Sequence, residues 1–165
     1  DYIGFLNSHY QKKCDEMPEI APNIIFIMAE NLVFPVRESL PDRKLYPFDE
    51  IPKYIANYGG IGTYFSEIEG YGNNLLEMIE SGLPVIINEY EIYKTDIKPL
   101  GLYLIETESG NITETAVNQA YKMLTDKNAR NATVKKNLEI LEEKLNHGVM
   151  AKSLGQIIEN LFKYR

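Results

Sequence analysis

The sequence predicts an α/β domain with a mostly parallel sheet and helices on both faces. Three observations carry this. Short β-rich apolar runs alternate with longer segments of helical periodicity. The runs at residues 23–28 and 84–87 are continuously apolar, as strands buried on both faces are. The chain has 165 residues, 44% apolar and 25% charged, which is the size and balance of one globular domain with a sizeable core.

Taken in order, Ile3, Leu6, Tyr10, Cys14 and Met17 recur at helical spacing, and Pro18 and Pro22 break that pattern. Residues 23–28 read as a buried strand. Residues 29–47, rich in proline and charge, read as a long irregular connection of the kind that is often functional. Asp49 can cap a helix running to Tyr58, with Pro52 in its first turn and Gly59-Gly60 ending it. Residues 61–65 read as a second strand. Residues 72–81 read as a helix with Leu75, Leu76 and Ile79 facing inward, stopped by Gly82. Residues 84–87 form a third strand and residues 102–105 a weaker fourth. Three helices close the chain, marked by Ala116, Val117, Ala120, Tyr121 and Leu124, by Leu138, Leu141 and Leu145, and by Leu154, Ile157, Ile158 and Leu161. Their apolar stripes are expected to face the core.

Composition excludes several functions. The net charge of −7, from 17 basic and 24 acidic residues, repels nucleic acid and anionic lipid. No apolar run approaches the ~18 residues of a membrane-spanning helix. The single cysteine, Cys14, cannot form an internal disulfide and reads as a buried thiol in a reducing compartment, hence a cytoplasmic protein. His9 and His147 lack ligand-spaced partners, so no zinc site is expected. Asn111 and Asn131 open glycosylation sequons that read as chance matches, and Lys135-Lys136 reads as a solvated helix face.

Chemistry concentrates in residues 66–77, Ser-Glu-Ile-Glu-Gly-Tyr-Gly-Asn-Asn-Leu-Leu-Glu, which follow a strand and open a helix. Gly70 and Gly72 allow a sharp turn and a close ligand approach. The helix behind them offers free N–H groups and the positive end of its dipole, which suits a phosphate. Glu69 in the loop and Glu77 on the helix can reach one crevice at the carboxyl end of the sheet, where ligands bind in open α/β folds. An ionised carboxylate only accepts hydrogen bonds, so it suits sugar hydroxyls. A strand, a glycine turn and a helix also occur in every βα unit, so both glutamates being ordinary surface charges stays open.

The segment Glu69-Gly-Tyr-Gly-Asn-Asn-Leu-Leu-Glu77, followed by Gly82-Leu-Pro-Val85, resembles the donor-binding domain of retaining glycosyltransferases of family 4, the glycosyl transferases group 1. Their signature is two glutamates separated by seven residues, in a pattern like E-G-F/Y-G-x-x-L-L-E. Glu69 and Glu77 match it, and Tyr71 takes the aromatic place. The resemblance extends from about Ile24 to Asp126. It implies a Rossmann-like, three-layer domain, the C-terminal half of the two-domain GT-B architecture, spanning residues 1–165. It implies a nucleotide-sugar donor, no metal or other cofactor, and retention at the anomeric carbon. By position Glu69 would contact the transferred sugar and Glu77 the ribose. Gly70, Tyr71, Gly72, Asn73 and Asn74 would line the sugar–diphosphate path, with Leu75 against it. The base would lie against the loop Arg43-Lys44-Leu45-Tyr46, which reads equally as an ordinary polar loop.

The sequence departs from that pattern in places. The arginine–lysine pair that grips the diphosphate is not found, and neither is the Gly-Gly-x-P-E segment. Residues 88–101 stand in its place, and their Asn88, Tyr90, Tyr93, Asp96, Pro99 and Gly101 are similar to a lesser-known subgroup. Tyr90 and Tyr93 can serve the cleft or simply pack. The chain starts Asp-Tyr-Ile, so it is expected to be part of a longer enzyme whose acceptor domain lies elsewhere, and to be inactive alone. A non-catalytic regulatory or interaction module of the same fold and a sugar-nucleotide epimerase of the same architecture stay open. The donor sugar, base, acceptor and oligomeric state are not encoded legibly.

Overall fold

The computed structural model describes residues 50–163 and, ahead of them, the short strands β1 (Val33–Phe34), β2 (Ser39–Leu40), β3 (Arg43–Lys44) and β4 (Tyr46–Pro47). The expected helix at residues 2–17 and strand at residues 23–28 lie outside the described residues. The chain divides into two compact units, Asp1–Ile51 and Pro52–Arg165. In the first, β1 pairs parallel with β4, and β2 pairs antiparallel with β3. The segment expected to be irregular therefore carries strand pairs of two residues each, and the loop expected at residues 43–46 includes parts of β3 and β4.

The second unit is α/β and Rossmann-like. Helix α1 (Ile51–Asn57) ends where expected: the Gly60 N–H reaches the Ile55 carbonyl at 2.9 Å and the Gly59 N–H reaches Ala56 at 3.0 Å. Arg130 adds a second cap, donating from its guanidinium to the Gly59 carbonyl at 3.0 Å and to that of Ala56 at 3.4 Å. Then come β5 (Gly62–Tyr64), α2 (Asn73–Glu80), β6 (Val85–Asn88) and β7 (Ile105–Thr107). Between β6 and β7 runs a π-helical turn (Tyr93–Ile97) followed by a 3₁₀ turn (Lys98–Leu100). The three strands form a parallel sheet in the order β5-β6-β7, with Gly62 opposite Val85 and Ile86 opposite Ile105. The core packs Tyr64, Leu75, Ile79, Leu83, Val85, Ile87, Tyr90, Tyr93 and Ile97 together.

The fourth strand starts later than its sequence suggests. Residues 102–104 stay out of the sheet because the buried Asn137 amide takes the Tyr103 peptide. Asn137 Oδ1 accepts from the Tyr103 N–H at 2.7 Å and its Nδ2 donates to the Tyr103 carbonyl at 3.1 Å. Helices α3 (Glu114–Thr125), α4 (Lys127–Lys144) and α5 (His147–Lys163) occupy the expected stretches. Thr113 and Asp126 cap α3 and α4 with their side chains. The expectation that their apolar stripes face the core is corrected. Ala116 is buried and Leu141 packs against the core, but Val117, Tyr121, Leu124, Leu138, Leu154, Ile157, Ile158 and Leu161 are exposed. Periodicity shows that a helix has an apolar face and says nothing of whether another element covers it. Among the described residues no helix is long and apolar enough to cross a membrane.

Candidate functional site

Where β5 ends, the chain turns through residues 65–72 into α2, at the carboxyl end of the parallel sheet. Three contacts shape this turn. Gly72, the N-cap of α2, stands at φ +82°, and a Cβ there would lie 2.4 Å from the Tyr90 hydroxyl oxygen, so only glycine fits. The Tyr90 hydroxyl donates to the Tyr71 carbonyl at 3.4 Å. Asn88, buried at the end of β6, ties the loops after β5 and β7 together: its Nδ2 donates to the Ser66 carbonyl at 3.1 Å, and its Oδ1 accepts from the Gly110 N–H at 2.9 Å.

The turn encloses an open cavity lined by Tyr64, Glu69, Tyr71, Gly72, Asn73 and Asn74, with an accessible volume of about 230 Å³. Among the described residues Glu69 is its one charged lining group. Its Oε2 accepts from the Tyr64 hydroxyl at 2.7 Å and its Oε1 from the Gly70 N–H at 3.0 Å. The Tyr64 hydrogen bond, helped by that of Gly70, holds the Glu69 carboxyl below the usual carboxylate range. Burial, and then the neighbouring Glu69, push the Tyr64 phenol up; burial does the same to Tyr90. At neutral pH the site therefore presents an ionised Glu69 carboxylate beside the neutral phenol of Tyr64, and the Tyr90 phenol next to Gly72 is neutral too. Opposite them stands the start of α2, which has no side-chain cap because its N-cap is glycine. The arrangement offers acceptors for hydroxyls on one side and N–H donors with a favourable dipole on the other.

Of the residues singled out in the sequence, Glu69, Tyr71, Gly72, Asn73 and Asn74 share this cavity. Gly70 sits at its edge, where its N–H is taken by Glu69. Leu75 does not line it: its side chain is wholly buried in the core. Glu77 stands on the exposed face of α2 and does not line the cavity. Lys44 and Tyr46 contribute backbone to β3 and β4, while Leu45 and all three side chains lie outside the described residues. Sequence reasoning missed Tyr64, which ends a strand and reads there as a packing residue, and it gave Asn88 no role. A polar side chain at the carboxyl end of a parallel strand was the available signal for both.

A second polar cluster sits beside the first. Tyr93 donates to Glu106 Oε1 at 2.5 Å, and Lys98 bonds Glu106 Oε2 at 2.8 Å and also Glu89. Burial pushes the Glu106 carboxyl up, but the bonds from Lys98 and Tyr93 outweigh it and leave it below the usual range. Every group here is satisfied within the cluster, which fastens the π-helical turn to β7. Among the described residues no three His, Cys, Asp or Glu side chains gather into a set that could hold a metal.

No protein-family model matches the chain, and no solved structure matches it. Two curated proteins do. A mannosylglucosylglycerate synthase of Thermotoga maritima is 38% identical over 98 residues, covering 52% of this chain and 23% of that protein. A mannosylglucosylglycerate synthase of Petrotoga mobilis is 47% identical over 109 residues, covering 66% of this chain and 22% of that protein. The chain thus spans less than a quarter of the length of these relatives.

Proposed function

We propose that this chain supplies the donor-binding half of a retaining glycosyltransferase with GT-B architecture, of the family 4 type. The observation that carries the reading is the cavity in which an ionised Glu69 faces the uncapped start of α2. Likeness to two synthases of a mannosylated glucosylglycerate supports sugar transfer and favours a mannosyl unit as the sugar moved. The nucleotide sugar lies with its diphosphate toward Asn73 and Asn74, its sugar against Glu69 and its ribose toward Glu77. A further domain presents the acceptor, the protein is cytoplasmic, and the reaction needs no metal.

The bond between the anomeric carbon and the diphosphate breaks through an oxocarbenium-like state. Charge growing on the leaving phosphate is met by the α2 N–H groups and helix dipole, already oriented before the reaction begins. Glu69, ionised and acceptor-only, takes hydrogen bonds from sugar hydroxyls and lies where positive charge develops. It cannot donate a proton in that state, so it is not a general acid. The acceptor attacks from the face the diphosphate leaves, and the leaving phosphate takes its proton, which retains the anomeric configuration.

The test is Glu69→Gln in the protein carrying this chain, assayed with a panel of nucleotide sugars and glucosylglycerate. A loss of roughly a hundred-fold in kcat is expected with nucleoside diphosphate affinity nearly unchanged, because the group acts mainly in the transition state. Near-normal kcat would contradict the assignment.

A further inference from the structure

We propose that Tyr64 is a positioning residue for Glu69: its hydroxyl sets the plane of the Glu69 carboxylate and aims its free lone pairs into the cavity. The proposal rests on the donor-sugar reading above and adds to it a residue that does not itself need to touch the sugar.

Glu69 sits on a loop, and a glutamate there can take many rotamers. A useful acceptor must be held still before the sugar arrives. Tyr64 is suited to hold it. It ends β5, so its backbone is fixed by pairing with Ile87 on β6. Tyr64 is 8% exposed, and its ring packs in the core against Tyr90, with ring centroids 6.1 Å apart. Tyr64 also lines the cavity, and its hydroxyl donates to Glu69 Oε2 at 2.7 Å. The Gly70 N–H occupies the other oxygen at 3.0 Å. With Tyr64 on one oxygen and Gly70 on the other, and the Ser66 side chain as a weaker third partner, the carboxylate plane is defined, and acceptor capacity for a hydroxyl remains.

Of the groups that hydrogen-bond Glu69, Tyr64 contributes most, ahead of the Gly70 N–H and the Ser66 side chain. Among the described residues the titratable groups near Glu69 are Tyr64 from β5, Tyr90 from the segment after β6, and Tyr71 in its own loop, and no cation lines the cavity. Among the described residues hydrogen bonds keep Glu69 charged, and that of Tyr64 is the largest contribution.

The test uses the protein carrying this chain, labelled with carbon-13 at its glutamate carboxyl groups, the Glu69 signal being assigned by its loss in Glu69→Gln. In the wild type Glu69 should titrate below the exposed glutamates; an ordinary value there overturns the proposal without any variant. Tyr64→Phe keeps the ring and removes the hydroxyl, so the Glu69 titration should move up toward the ordinary value. The acid limb of the kcat profile should move up with it. We expect kcat to fall about ten- to a hundred-fold, as misplacement of a reacting group does, while calorimetric affinity for uridine and guanosine diphosphates stays within about two-fold, since uniform binding is untouched. A packing role alone would lower the melting temperature and leave the titration where it is. An unchanged titration, or unchanged kcat beside an impaired Glu69→Gln, overturns the role of Tyr64 alone. Full turnover in Glu69→Gln overturns the donor reading beneath it.

Discussion

Gly72 is where backbone and side-chain constraints meet most sharply. Its φ of +82° disfavours any L side chain, and the Tyr90 hydroxyl stands where a Cβ would go. Gly72→Ala should cost about 1–3 kcal/mol in denaturant unfolding, the range for a non-glycine held in a left-handed conformation. Tyr90→Phe in that background should recover part of the loss by removing the clashing oxygen, so the two changes should not add. Strict additivity would show that the clash is relieved some other way. Glu77 poses a different question. It lies four residues beyond Asn73, about 6 Å along the helix axis, on the exposed face of α2. A nucleoside diphosphate with its phosphates at the start of α2 can extend that far, and Glu77 would then accept from the ribose. Glu77→Ala should weaken nucleoside diphosphate binding about 10- to 100-fold in calorimetric titration, as loss of hydrogen bonds to a charged group does. Unchanged affinity would remove Glu77 from the site. Glu69 and the glycine turn were legible in the sequence, because their spacing and neighbours are local, whereas Glu77 does not line the cavity. Tyr64 was not legible, because its partnership with Glu69 depends on how the loop folds back over the strand end.

At the scale of elements, the late start of β7 shows one side chain overriding a strand preference. Residues 102–105 have the composition of a strand, yet Asn137 on α4 captures the peptide of Tyr103, 34 positions away. Asn137→Leu should destabilise the domain by about 1–3 kcal/mol for each Tyr103 backbone group it leaves unpaired, read from the chemical denaturation midpoint at constant m-value. A variant as stable as the wild type would mean that residues 102–104 join the sheet once released. The helix ends were legible because a glycine after an apolar stretch acts locally: Gly82 and Leu83 close α2 with bonds to Ile79 at 3.0 Å and Met78 at 3.1 Å. The fate of the terminal stripes was not. Helix α5 buries none of its residues, although Leu154, Ile157, Ile158 and Leu161 recur at helical spacing along it.

At the scale of the molecule, a row of phenols starting at Tyr64 links the proposed site to the rest of the core. Tyr64, Tyr90 and Tyr93 follow one another with centroids 6.1 and 5.9 Å apart, and their row ends on Glu69 at one side and Glu106 at the other. The 165-residue chain alone should bind nucleoside diphosphates weakly and transfer no sugar. It spans less than a quarter of its relatives' length, and holding donor and acceptor together is worth up to about 7–11 kcal/mol of the barrier. Product formation from nucleotide sugars and glucosylglycerate is the assay, and multiple turnovers by this chain alone would overturn the division of labour proposed for it.

By itself the sequence determined the α/β class, the order of strands and helices within residues 50–163, the helix stops and the glycine turn bearing Glu69. Each depends on side chains a few positions apart, whose steric and hydrogen-bonding preferences act wherever the segment lies. Only the tertiary structure decided that Tyr64 holds Glu69, that Asn88 ties Ser66 to Gly110, that Arg130 caps α1 from 71 positions away, and which apolar stripes stay uncovered. Those outcomes depend on the sheet bringing distant segments together, and a buried polar group takes whichever partner then lies within reach.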